Sequence, residues 1–190
     1  SESYPTLSLL RQPNCGKAGA LNTALRFASG RYFLTLDADS IPGRFSLMRM
    51  VSVLEEHPNL VGASGVVRLS NGCDIENGEI KTVQLAAGWL PRFQTLEYLR
   101  AFLVARIGMS VSGGLIILSG AFALLRTEDT RSVQGFNERC MGEDFEICLR
   151  LLNRKRGRQQ LAMVSNANCW TTAPERLRVL YRQRERWQRG

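Results

Sequence analysis

The sequence predicts an α/β protein with a mostly parallel sheet flanked by helices. Three features carry that expectation. Apolar runs of strand length recur along the chain, such as RYFLTL at 31–36 and LVGASGVVRL at 60–69. Longer segments with apolar residues at helical spacing lie between them. Gly, Ser and Pro punctuate the junctions, and strands that alternate with helices pack as crossover units whose strands run parallel.

Residues 6–11, TLSLLR, read as a short strand. GKAGALNTALRFA (16–28) reads as a helix, with Ala20, Leu21, Ala24, Leu25 and Ala28 on one face and Ser29–Gly30 as its stop. RYFLTLDAD (31–39) is a buried strand with a polar end. The helix GRFSLMRMVSVLEEH (43–57) follows Pro42 and should turn Phe45, Met48, Val51, Val53 and Leu54 inward, and the strand at 60–69 comes next. Residues 70–93, rich in Asn, Gly and isolated charges, read as a loop or insertion, and QTLEYLRAFLVARIG (94–108) as an amphipathic helix. Ile107–Leu125 carries no charge over 19 residues, a length compatible with a membrane span. Its serines and Gly113–Gly114 instead favour a Gly/Ser loop leading into a buried strand at 115–126. Thr127 then stands as the N-cap of a short helix with acids in its first turn. The helix EDFEICLRLLNRKRG (143–157), a last strand QQLAMVSNA (159–167) and a C-terminal helix opened by Pro174 complete the chain.

The 190 residues suffice for one compact domain, and 44% apolar with 22% charged residues is ordinary for a globular one. The net charge of +8 favours an anionic partner: a nucleotide's phosphates, nucleic acid or an anionic membrane surface. The excess lies mainly in residues 150–190, which a solvated helix face also explains. No nucleic-acid motif accompanies it, and nucleic acid is set aside as a partner. Five cysteines without a CxxC argue against a disulfide framework or a zinc site, and for a reducing compartment. The single histidine, His57, placed at a helix exit, argues against a His-based metal site or a Ser–His–Asp triad.

Three clusters could carry chemistry. Asp37 and Asp39 of DAD lie two residues apart at a strand end, where alternate side chains point the same way. They form either a turn before Pro42 or a ligand pair for a hard cation such as Mg2+ or Mn2+. Glu143 and Asp144 of GED open a helix, either as capping acids or with one of them as a general base toward a hydroxyl. QRERW places Gln183, Arg186 and Trp187 on one helix face. Arginine offers a fork for a diphosphate and tryptophan a flat surface for a sugar, while core packing of Trp187 with Leu177, Leu180 and Tyr181 is the alternative.

The ordered series NCGKAGALN, DAD, SGAFAL, GED and QRERW resembles the processive, membrane-associated family 2 glycosyltransferases. These include the cellulose, chitin, hyaluronan and poly-N-acetylglucosamine synthases. The likeness extends from about residue 12 to 190, and CWTTAPE (169–175) and QTLEYLRAF (94–102) look like the poly-N-acetylglucosamine branch. It implies a GT-A fold, a UDP-sugar donor, a Mg2+ or Mn2+ ion, and a polysaccharide acceptor. By motif, Asp39 would ligate the metal, and Asp37 would contact the nucleotide or help hold the metal. Lys17 would lie by the nucleotide, Asp144 beside Glu143 would be the base, and Ser119 and Gly120 would sit near the acceptor. Gln183, Arg186 and Trp187 would hold the diphosphate and the acceptor sugar. An inverting transfer of this kind uses neither histidine nor a covalent nucleophile. A non-processive family 2 transferase with a lipid or other acceptor is the alternative.

Cys15 stands where many relatives have glycine. The family's first βα units, which carry uracil-binding acids, and its transmembrane helices are both missing. Residues 1–190 are thus expected to be a partial GT-A catalytic domain, soluble by itself, from the cytosolic part of a protein held at the membrane's cytoplasmic face by other regions. Residues 1–190 alone should show weak or no transferase activity, as measured by UDP release from UDP-sugars; robust turnover would refute the expectation.

Overall fold

The computed structural model describes residues 8–154 and 159–189. The N-terminal strand expected at 6–11 does not form: residues 8–11 are exposed and irregular, and 6–7 lie outside the described residues. Helix α1 (Gly16–Phe27) is followed by strand β1 (Tyr32–Leu36), the two-residue strand β2 (Ile41–Pro42) and helix α2 (Ser46–Glu56). Strand β3 (Leu60–Leu69) leads into a small hairpin, β4 (Asp74–Glu76) and β5 (Glu79–Thr82), inside the segment expected to be loop. A continuous helical run then extends well beyond the expected 94–108: α3 (Trp89–Leu99), a π-helical segment Arg100–Arg106 and α4 (Ile107–Val111). Strand β6 (Phe122–Arg126) and helices α5 (Thr127–Ser132) and α6 (Glu143–Leu152) come next, then strand β7 (Gln160–Thr171) and helix α7 (Leu177–Gln188).

The sheet order is β1-β6-β3-β7-β2. Strands β1, β3 and β7 run the same way, as expected of crossover units, and β3 and β7 pair in parallel. The sheet is nonetheless mostly antiparallel in its pairings. Strand β6 inserts in reverse between β1 and β3, and β2 runs against β7. Strand–helix alternation predicts direction but not neighbours, and β6 occupies the slot between two strands linked by a crossover through α2.

The strand β6 alternates between two cores, as a strand must. Ala123 and Leu125 pack with Leu25, Phe33, Phe102, Ile147 and Leu151. Phe122 and Leu124 pack on the opposite face with Met50, Leu54 and Val164 of α2 and β7. Burial of a side chain such as Phe122, fully shielded here, stabilises by about 1.5–3 kcal/mol. Helix α2 turns Ser46, Met50 and Leu54 inward, while Phe45 and Met48 are exposed, against expectation. The Ser46 hydroxyl donates to Asn168 O and orients the helix, which begins three residues later than the sequence suggests.

Three further boundaries shift. Leu115–Ala121 is irregular rather than strand, because its amides are engaged elsewhere: Leu118 N donates to Cys148 Sγ and Gly120 N to Asp144. Among the described residues no helix is long and apolar enough to cross a membrane. Thr127 does not cap α5; its hydroxyl donates to Gly30 O. Helix α6 ends at Leu152, and 155–157 of its expected extension lie outside the described residues. Pro174 precedes α7 by three residues, and its carbonyl accepts from buried Gln94 of α3.

The β3–β7 register jumps between Gly65 and Val66, whose partners are Val164 and Asn168. The intervening bulge brings Ala167 O to 2.3 Å and Phe122 Cε1 to 2.7 Å from the position a Cβ on Gly65 would take. Neither a backbone carbonyl nor a fully buried ring can yield cheaply. Gly65→Ala is expected to destabilise the fold by about 1–3 kcal/mol, read as a lower midpoint in urea unfolding; an unchanged midpoint would contradict the bulge geometry.

Candidate active site

The site is assembled around the loop entering β6. Lys17, in the first turn of α1, donates from Nζ to Asp37 Oδ1 at 2.5 Å and to Gly120 O at 3.1 Å, and lies 3.9 Å from Glu143 Oε1. Gly120 N donates to Asp144 Oδ2 at 3.1 Å, while Phe145 N donates to Oδ1. A Cβ on Gly120 would stand 3.1 Å from Asp144 Oδ2 and 3.2 Å from Lys17 Nζ, so a side chain there would push both groups aside. Asp37 N donates to Ala121 O, which joins the DAD segment to the same loop.

DAD is a turn and not the end of a strand: β1 stops at Leu36, and Ser40 N closes onto Asp37 O at 3.0 Å. The alternation argument for Asp37 and Asp39 therefore does not apply. Both carboxylates nonetheless line the cleft, reaching it from the turn. At GED, no side chain caps the start of α6. Asp144 instead accepts from the Gly120 amide and from Phe145 N of its own helix.

The α1 motif also has a structural part. Asn22 Nδ2 donates to Phe136 O and Glu138 Oε1, and its Oδ1 accepts from Phe136 N. Those bonds fix the loop that delivers Glu143 and Asp144.

From the far side, α7 closes the cleft. Arg184 forms an ion pair with Glu97 of α3 at 2.6 Å and lies 4.4 Å from the Trp187 ring centroid. Trp187 is 48% exposed and α7 buries no residue, so the core-packing alternative fails. Gln183 Oε1 is buried with no hydrogen-bond partner among the described residues. All ten residues singled out in the sequence (Lys17, Asp37, Asp39, Ser119, Gly120, Glu143, Asp144, Gln183, Arg186 and Trp187) line one cleft of about 990 Å³.

The same cleft is lined by Tyr98 and Arg106, which sequence reasoning missed. Burial raises the Tyr98 pKa, and burial lowers that of Arg106 against the opposing field of Asp144. A signal for Arg106 existed: it is the lone charge between Arg100 and Arg126.

An α/β domain whose sheet edge and helix N-termini surround such a cleft has relatives among solved structures. The mannosyltransferase PcManGT from Pyrobaculum calidifontis, in complex with GDP-Man and Mn2+, superposes over 97% of this chain and 45% of its own, with a TM-score of 0.65 and 23% identity. The TarS protein of S. aureus in complex with UDP-GlcNAc superposes over 89% of this chain and 42% of its own, with a TM-score of 0.52 and 17% identity. The fold is the GT-A fold of nucleotide-sugar transferases. The profile of the "Glycosyl transferase family group 2" matches residues 32–190, and the chain belongs to that family of glycosyltransferases. The poly-beta-1,6-N-acetyl-D-glucosamine synthase of Staphylococcus aureus is 30% identical over 94% of the chain, and that of Staphylococcus epidermidis 27% identical over 93%. The chain spans 39% of the length of each of these relatives.

All five cysteines are free. Burial pushes the thiols of Cys148, beneath the site, and Cys169 up to about 12, whereas Cys15 is exposed at the cleft rim. Alkylation requires the thiolate, and a group with that pKa has roughly one part in 10⁴ ionised at pH 8. Brief iodoacetamide treatment at pH 8 should therefore label Cys15 and spare Cys148 and Cys169, read by peptide mass spectrometry; equal labelling would contradict their burial.

Proposed function

We propose that the full-length protein is an inverting glycosyltransferase that moves a sugar from a UDP-sugar, UDP-GlcNAc or UDP-glucose, to a hydroxyl of a growing polysaccharide. The observation that carries this reading is the joint use of Gly120, whose amide holds Asp144 and whose carbonyl holds the Lys17 that pairs with Asp37. Base and nucleotide-side groups thereby face one cleft. Kinship with the poly-beta-1,6-N-acetyl-D-glucosamine synthases supports the acceptor class, and the UDP-GlcNAc complex of TarS supports the donor. Attachment to a membrane, at its cytoplasmic face, through regions outside this chain belongs to the same proposal.

In this reading Asp144 accepts the proton of the acceptor hydroxyl. The oxygen lone pair forms the new bond to the anomeric carbon. The bond from that carbon to the phosphate oxygen breaks, and its electron pair leaves with UDP. Glu143, near Lys17, helps hold that ammonium beside the nucleotide. Gln183 and Arg186 bind the diphosphate, Trp187 supports the acceptor ring, and Ser119 and Gly120 border it.

The residues present fit a Mg2+ or Mn2+ ion. Among the described residues there is no group of three side chains able to enclose a metal. Two carboxylates on an open cleft suit a hard cation that keeps water and phosphate as its other ligands. Asp39, exposed and with no hydrogen bond among the described residues, would be the principal ligand and Asp37 the second. When bound, such an ion supplies positive charge to the diphosphate; the Mn2+ complex of PcManGT supports this part.

The test is calorimetric binding of UDP and UDP-GlcNAc to the full-length protein, with and without Mn2+. Mn2+ is expected to tighten UDP binding at least about tenfold, and Asp39→Ala to abolish the difference, a scale set by one charged contact. UDP affinity indifferent to Mn2+, or unaltered by Asp39→Ala, would sink the assignment.

A further inference from the structure

The arginine at the end of the π-helical segment has no role in the reading above. Arg106 lines the cleft, with its Cζ 4.4 Å from the Phe102 ring centroid. Its Nη1 is buried and has no hydrogen-bond partner among the described residues. It belongs to none of the ion pairs that brace the cleft, Lys17–Asp37, Lys17–Glu143 and Arg184–Glu97. An unpaired guanidinium nitrogen shielded from water is costly, and a fold keeps one where a ligand completes it. The backbone supports that view: Arg100–Arg106 is the π-helical stretch within a run that is otherwise α-helical, and such stretches recur at functional sites.

The foremost charge acting on Arg106 is that of Asp144, which lines the same cleft. Each of its oxygens holds one backbone N–H, from Gly120 and Phe145, and keeps capacity for more. Arg106 and Asp144 thus line the same cleft and interact through their charges, and no ion pair or hydrogen bond joins them among the described residues. A donor and an acceptor held apart in this way are complementary to a hydroxyl, which accepts from the first and donates to the second. A phosphate oxygen would satisfy Arg106 and be repelled by Asp144. We infer that Arg106 binds the sugar acceptor, donating from its guanidinium to the hydroxyl that Asp144 deprotonates or to its ring neighbour, and so aims that hydroxyl at the donor. This assignment rests on the reading of Asp144 as the base.

The test uses the full-length protein with UDP-GlcNAc as donor and a short β-1,6-linked N-acetylglucosamine oligosaccharide as acceptor. Arg106→Gln should raise the acceptor KM by about tenfold to a hundredfold, the range for one charge-assisted hydrogen bond, while the Kd for UDP changes less than about twofold. Arg106→Lys keeps the charge with a shorter reach and should give an intermediate acceptor KM; it decides the matter if Arg106→Gln does not fold. An unchanged acceptor KM in either folded variant overturns the assignment. An equal loss of UDP affinity overturns it too, and would make Arg106 a diphosphate ligand. Asp144→Asn, measured alongside, separates the two readings. If it transfers sugar at the normal rate, the base assignment fails; if it abolishes transfer while the Arg106 variants keep their acceptor KM, only the present inference fails.

Discussion

One peptide unit holds the site together. The amide of Gly120 reaches Asp144 on α6, its carbonyl reaches Lys17 on α1, and Lys17 continues to Asp37 on the turn after β1. Three elements far apart in the chain are thereby fixed to the loop before β6. A side chain at this position would press on both Asp144 and Lys17, which would have to shift by a few tenths of an ångström. The loop is irregular for the same reason. Its amides serve Asp144 and Cys148 on α6, and cannot also serve a strand ladder.

The sheet explains why that loop lies where it does. Strand β6 runs backward between β1 and β3, so the residues preceding it emerge beside the end of β1, where DAD turns. A purely parallel arrangement would place the start of β6 at the opposite edge, away from Asp37. Strand β6 is packed on both faces, with alternate side chains buried in two cores. Polar groups such as Lys17 and Asp37 are thus presented beside a fully packed strand. Helix α7, which buries nothing, is held through Arg184 to Glu97, and the segment before it through Gln94 to Pro174.

Much of this was legible in the chain. The helix at 16–27, the strand at 60–69 and the start of α6 follow from periodicity and from Gly and Pro punctuation. The residues of the cleft were legible through their order, since each cluster alone also fits a cap, a turn or a solvated face. Legibility failed where a long-range contact outweighed a local preference. The inward face of α2 depends on the Ser46 bond to Asn168, and Thr127 serves Gly30 rather than its own helix. The stretch before β6 is apolar like a strand, yet only Leu115 and Leu118 of it are buried, and its amides bond to α6 instead of a ladder.

By itself, the sequence determined that the chain is α/β, that it belongs with glycosyl transferases of family group 2, and which side chains are available for chemistry. Those are properties of residue type and order, and they survive any arrangement of the strands. Only the tertiary structure decided the neighbours: that β6 separates β1 from β3, that a backbone amide serves Asp144, and that Arg106 lines the same cleft. Hydrogen bonding between distant segments makes those choices, and each partner is chosen in competition with every other donor and acceptor that folding brings within reach.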